Sequence, residues 1–129
     1  MVNNIRIYSD FNLDQKDLNS IILIGNFDGL HSGHQKLFKE ANKIKKKLKI
    51  RVGVLTFDPI PKMFFNKNIR NYRISNFSQK KKHFQEYKID FLINKSFNKR
   101  FSKISSYKFI ENIIYKKLRA KYIFVSNNF

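Results

Sequence analysis

The feature that most restricts the fold is a four-residue apolar run, Ile21-Ile22-Leu23-Ile24, which leads through a glycine turn into a segment of helical periodicity. A strand with no polar alternation is one covered on both faces, as strands of parallel sheets are. After the turn, Leu37, Phe38, Ala41, Ile44 and Leu48 fall on one side, and Lys39, Lys43, Lys46 and Lys47 on the other. That spacing predicts a helix from His34 to about Lys49 with a single buried stripe. The same alternation continues along the chain. Ile5 to Tyr8 reads as an edge or covering strand, Ser9 to Asn19 as a polar connection, Ser20 to Ile24 as the first central strand, and Arg51 to Phe57 as the second, closed by Asp58-Pro59. Met63 to Asn71 reads as irregular, basic and aromatic. A polar helix is predicted over Ser75 to Tyr87, capped by Ser75 or Asn76, and a third strand over Asp90 to Ile93. Ser105 or Ser106 then caps a helix with a buried stripe of Phe109, Ile110, Ile113, Ile114 and Leu118, before a last strand from Lys121 to Val125. Strands alternating with helices specify an α/β fold with a parallel sheet.

The turn itself reads Gly25-Asn26-Phe27-Asp28-Gly29-Leu30-His31-Ser32-Gly33-His34-Gln35. In open α/β sheets ligands bind at the carboxyl ends of strands. A helix starting near His34 aims unpaired N–H groups and the positive end of its dipole into that crevice, which suits phosphate. Gly25 ends the strand, and Gly29 and Gly33 keep side-chain bulk away from the backbone. His31 and His34 can both donate to phosphate oxygens. Zinc is disfavoured, because the chain has no cysteine and His83 is the one remaining imidazole. The competing reading of either histidine is a structural residue that caps the turn.

The string GNFDGLHSGHQ resembles the H-x-G-H signature of the α/β nucleotidyltransferases, in the longer form found in bacterial FAD synthetases, the adenylyltransferase half of the bifunctional riboflavin kinase/FAD synthetase. A second match, Leu55-Thr56-Phe57-Asp58-Pro59, is similar to that family's T-F-[ED]-P block, with Ile60-Pro61 where the family has His-Pro. A third, Val125-Ser126-Asn127-Asn128-Phe129, resembles the start of a V-G-x-[ND]-F segment, with Ser126 in place of the glycine. The resemblance implies a Rossmann-like parallel sheet of the H-x-G-H type and the reaction of ATP with FMN to give FAD and pyrophosphate, with Mg2+ carried by the ATP. It implies that His31 and His34 are the catalytic pair, contacting the ATP phosphates and stabilising the transition state. Gly25, Asn26, Phe27, Asp28, Gly29 and Gly33 would shape the nucleotide site, with Phe27 lining the crevice, Asp28 ordering the turn and Asn128 added from the third match. Thr56, Phe57, Asp58 and Pro59 would form a substrate loop on the flavin phosphate side. The family's further parts, including the riboflavin kinase domain, are not found among residues 1–129. The expectation is therefore one partial FMN adenylyltransferase domain over residues 1–129, incomplete at its C-terminal end and with the kinase domain absent.

The net charge of +18 opens a different reading, since a strongly basic face is the footprint of nucleic-acid binding. The lysines are spread along the chain on the polar sides of predicted helices, and the heavy use of Lys, Asn, Ile and Phe matches an A+T-rich coding sequence. Nucleic acid is thus not the expected partner. No apolar run approaches the ~20 residues that span a bilayer, and the amino terminus has no signal-peptide core, so no membrane association and a cytoplasmic location are expected. The alternatives are another H-x-G-H nucleotidyltransferase, a catalytically silent remnant that binds nucleotide, and a basic nucleic-acid-binding protein.

Overall fold

A computed structural model describes residues 5–27, 32–58 and 77–126. Five strands, β1 (Arg6–Tyr8), β2 (Ile21–Ile24), β3 (Val52–Asp58), β4 (Phe91–Ser96) and β5 (Tyr122–Val125), form one sheet in the order β1-β4-β3-β2-β5. Every pair is parallel. The crossovers carry α1 (Ser32–Leu48), α2 (Phe77–Glu86), a short α3 (Lys99–Ser102), and α4, which is α-helical over Ser106–Lys108 and π-helical over Phe109–Lys117.

The sheet has a core on each face, and strand periodicity decides which side chain joins which. Ile21, Leu23, Val52, Val54 and Leu92 pack with Phe38 and Ala41 of α1 and Phe84 of α2. Ile22, Ile24, Leu55, Phe57, Phe91 and Ile93 pack with Ile114 of α4, with Leu118 just after it, and with Phe11. Successive residues of a strand point to opposite faces, so covering both faces requires the unbroken apolar run of β2. Gly53 of β3 marks a close approach: a Cβ there would lie 2.1 Å from the Phe91 ring.

Several expectations are corrected. Ile110 is 47% exposed rather than part of the α4 stripe. The i→i+5 bonding of a π-helix, seen where Leu118 N–H donates to the Ile113 carbonyl at 2.8 Å, rotates the inward face. Phe109 and Ile114, and Ile113 and Leu118, then repeat at five residues, while Ile110 shares its side with the exposed Tyr115. The connection between β1 and β2 is also more than polar spacer. Phe11 is buried, and the Asp17 carboxylate, 1% exposed, accepts from the Tyr8 hydroxyl and lies 3.4 Å from Arg51. Arg6 pairs with Asp14. Burial first, then the bond to Asp17, raise the Tyr8 phenol above its ordinary pKa. β4 runs three residues past Ile93, because pairing with β3 carries Asn94, Lys95 and Ser96 along. Short α3 was not expected; Asn98 caps it by accepting from the Phe101 N–H. The predicted caps Ser75 and Asn76 and the stretch Met63 to Asn71 lie outside the described residues. Among the described residues, no helix is long and apolar enough to cross a membrane.

Candidate active site at the carboxyl ends of β2 and β5

From β2 the chain proceeds through β3 and β4 in one direction and returns as β5 on the other side of β2. The carboxyl ends of β2 and β5 therefore flank the sheet's switch point, where open α/β folds form a crevice. Gly25 follows β2 there, and its N–H donates to the Leu55 carbonyl at 3.1 Å. Ser126 follows β5, and its N–H donates to the Ile24 carbonyl at 2.9 Å. The two ends are so close that a Cβ on Gly25 would lie 2.6 Å from the Ser126 Cβ. Only glycine fits without displacement.

His34 is the third residue of α1 and is 8% exposed. Its Nε2 lies 3.5 Å from the Ser126 hydroxyl oxygen, and its ring meets the Phe27 ring edge-on with 5.1 Å between centroids. Phe27 has a positive φ of 54° and no exposed surface, and its ring also packs tilted against Phe38 and edge-on against Phe84. It is thus the buried support behind His34 rather than a residue lining an open crevice. A bulky side chain held in the left-handed region is uncommon and persists only where packing imposes it. The first turn of α1 carries no acidic residue, and its last turn holds Lys45, Lys46 and Lys47, a charge distribution that suits the helix dipole at its carboxyl end.

The second block does not act as one loop. Thr56, Phe57 and Asp58 all belong to β3. Phe57 is 4% exposed and points to the α4 face, within 6.2 Å of the ring centroids of Phe97, Phe101 and Phe109. It is a core residue there. Thr56 points to the opposite face and donates to Asn94 Oδ1 at 3.3 Å, while Asp58 is exposed at the end of the strand. His31, Asp28, Gly29, Pro59 and Asn128 lie outside the described residues, while Gly33 is described only as part of α1. The structure thus brings Gly25, Asn26, Phe27 and His34 to one place, with Thr56 on the neighbouring strand.

Two residues join this site that the sequence did not mark. Ser126 stood out only as a departure from a motif, yet its hydroxyl approaches His34. Lys80 of α2 is 7% exposed, and its Nζ donates to the backbone carbonyl and the side-chain Oδ1 of Asn26 at 3.0 and 2.9 Å. Nothing in the sequence separates it from the other cations among 27 lysines and arginines. An open cavity of about 420 Å³ lies at the other end of the sheet, lined by residues that include Asn19, Arg119 and Lys121, and takes no part in the site.

The described residues therefore form a partly buried cluster of hydrogen-bond donors beside a helix amino terminus, on a parallel sheet. The model of the FAD synthetase family matches residues 13–129. The chain belongs to the FAD synthetase family. A bifunctional riboflavin kinase/FMN adenylyltransferase of Buchnera aphidicola subsp. Acyrthosiphon pisum is 40% identical over 118 residues, covering 92% of this chain and 38% of the relative. The Escherichia coli K12 protein of the same name is 30% identical over 109 residues, covering 84% of this chain and 35% of its own length. This FAD synthetase-family chain thus spans little more than a third of the curated relatives it matches. A crystal structure from Streptococcus pneumoniae, described as a macrolide-efflux protein, superposes with a TM-score of 0.75 at 24% identity, over 95% of this chain and 40% of that one. At that identity the likeness concerns the fold alone.

Proposed function

We propose that the chain carries the FMN adenylyltransferase site of the FAD synthetase family, catalysing ATP + FMN → FAD + pyrophosphate. The observation that carries this reading is the position of His34. It sits in the first turn of α1, at the carboxyl ends of β2 and β5, with Nε2 3.5 Å from Ser126 Oγ. In the reaction a phosphate oxygen of FMN attacks the α-phosphorus of ATP, and the bond to the β-phosphate oxygen breaks as pyrophosphate leaves. Negative charge shifts onto the transferring and departing oxygens. The protein's contribution to such a step is positioning and charge stabilisation rather than covalent chemistry. His34, His31, Asn26 and the N–H groups at the start of α1 are the donors proposed for those oxygens. Gly25, Gly29 and Gly33 leave room for them to approach, with Asp28 ordering the turn and Asn128 adding a polar group.

Magnesium enters as part of the ATP substrate. Lysine, imidazole, amide and hydroxyl groups match phosphate oxygens rather than a bare dication. Thr56, Asp58 and Pro59 remain proposed for the flavin phosphate side. Residues 1–129 are read as belonging to one adenylyltransferase domain, working on cytoplasmic nucleotides, with nucleic acid not among its partners.

The test is incubation of the chain with ATP, Mg2+ and FMN, with FAD separated from FMN by chromatography. FAD formation that falls at least about 100-fold in His34→Ala, with ATP affinity changed far less, is the expected result. Equal loss of binding and turnover would refute the transition-state role. Binding of ATP without any FAD would leave a silent nucleotide-binding site.

A further inference from the structure

Lys80 calls for an explanation, because removing an ammonium group from water is costly unless its donors are satisfied. It is 7% exposed, and two of its contacts go to a single residue, the Asn26 carbonyl at 3.0 Å and Asn26 Oδ1 at 2.9 Å. Lysine has donors and no acceptor, whereas an asparagine amide has one edge of each kind. The cation therefore decides which edge of Asn26 faces α2: oxygen toward Lys80, NH2 away from it. The reverse orientation would set two N–H donors against an ammonium group. Asn26 is half-buried between Gly25 and the strained Phe27, so part of it stays open to solvent. A full charge on the oxygen side also draws electron density from the amide nitrogen, which strengthens its N–H groups as donors. The bond to the backbone carbonyl holds the same turn that presses the Phe27 ring against His34.

We propose that Lys80 is a positioning residue: it locks Asn26 so that the side-chain NH2 is a preset donor to a phosphoryl oxygen of the bound nucleotide. The proposal rests on the adenylyltransferase reading above.

The test uses the full chain and four variants, Lys80→Met, Lys80→Arg, Asn26→Asp and Lys80→Met/Asn26→Ala. Asn26→Asp keeps both oxygens for Lys80 and replaces the NH2 donor by a charged carboxylate oxygen, so it reports even if Lys80→Met does not fold. The expected result is a loss in kcat/KM of about 10- to 100-fold in Lys80→Met and in Asn26→Asp, carried more by kcat than by the KM for ATP. Lys80→Arg should recover most of it, and Asn26→Ala should add little on top of Lys80→Met. A readout independent of turnover is the Asn26 side-chain amide in 15N–1H spectra. Its resonances should move on adding ATP with Mg2+, and should be displaced in Lys80→Met but not in Lys80→Arg. Wild-type activity in Asn26→Asp, losses that multiply in the double variant, or Asn26 resonances indifferent to Lys80→Met would each overturn the proposal. If the wild-type chain makes no FAD, the adenylyltransferase reading fails, and the Lys80–Asn26 coupling is read instead in ATP affinity. Asn26 signals that ignore ATP would then end this proposal too.

Discussion

Gly25→Ala tests the packing on which the site depends. The new Cβ would lie 2.6 Å from the Ser126 Cβ and 3.0 and 3.1 Å from two carbons of the Phe27 ring. Carbon atoms rest comfortably at about 3.5–4.0 Å, so the Ser126 contact has to open by roughly 1 Å. Ser126 is held by its N–H bond to the Ile24 carbonyl at 2.9 Å, and a retreat weakens that bond, worth about 1 kcal/mol. With the strain against Phe27, the expected loss is about 2–3 kcal/mol, a large share of the ~5–15 kcal/mol that stabilises a domain. Ser126→Gly removes the atom that collides and leaves only the two marginal ring contacts. In the Gly25→Ala background it should therefore restore at least about 1 kcal/mol, although alone it is neutral or slightly destabilising. Urea unfolding of the four proteins with matched m-values measures this. Costs that add within about 0.5 kcal/mol would refute the claim that these strand ends are in contact.

The π-helical turn of α4 predicts that Ile114→Ala costs about 2–5 kcal/mol and Ile110→Ala under about 0.5, read by thermal or urea unfolding; equal costs would restore the α-helical stripe. Asp17→Ala removes the buried acceptor of the half-buried Tyr8 hydroxyl and a partner of Arg51, and should cost about 2 kcal/mol, less in Asp17→Asn, which keeps an acceptor oxygen. Asp10 accepts from the Phe11 N–H at 2.8 Å and pairs with Lys95 at 3.3 Å; these interactions, the backbone bond first, lower its pKa against the desolvation that raises it. A lowered carboxyl supplies stability above its unfolded value of about 4 and loses it as pH falls through the folded value. Asp10→Asn should therefore flatten the acid limb of a stability profile between about pH 5 and 2, and an unchanged limb would show that the pair contributes nothing.

How much of this was legible differs by element. The order of strands and helices could be read from periodicity, because β2 has to be apolar on both faces and α1 on one. Strand ends were less legible: Asn94, Lys95 and Ser96 look like a loop and become strand only because β3 offers partners. Ile110 was misplaced because the sequence does not reveal that backbone bonding widens to five residues. Phe57 was read as substrate loop because it stands inside a motif. Its neighbours Phe97, Phe101 and Phe109 come from a later part of the chain, and a motif cannot show that they converge on it.

The strand end at Gly25, the place of His34 in the first turn of α1 and the amphipathic helix itself were fixed by local sequence, since dipole direction and helical period depend on residues within a few positions. Which side chains meet at that turn was decided in three dimensions. Ser126 lies 92 positions from His34, and Lys80 lies 54 from Asn26. Contacts at such separation form only when the sheet sets β5 beside β2 and α2 over the end of β2. A charge among many similar charges gains a distinct role through burial, which follows from packing and leaves no mark in the order of residues.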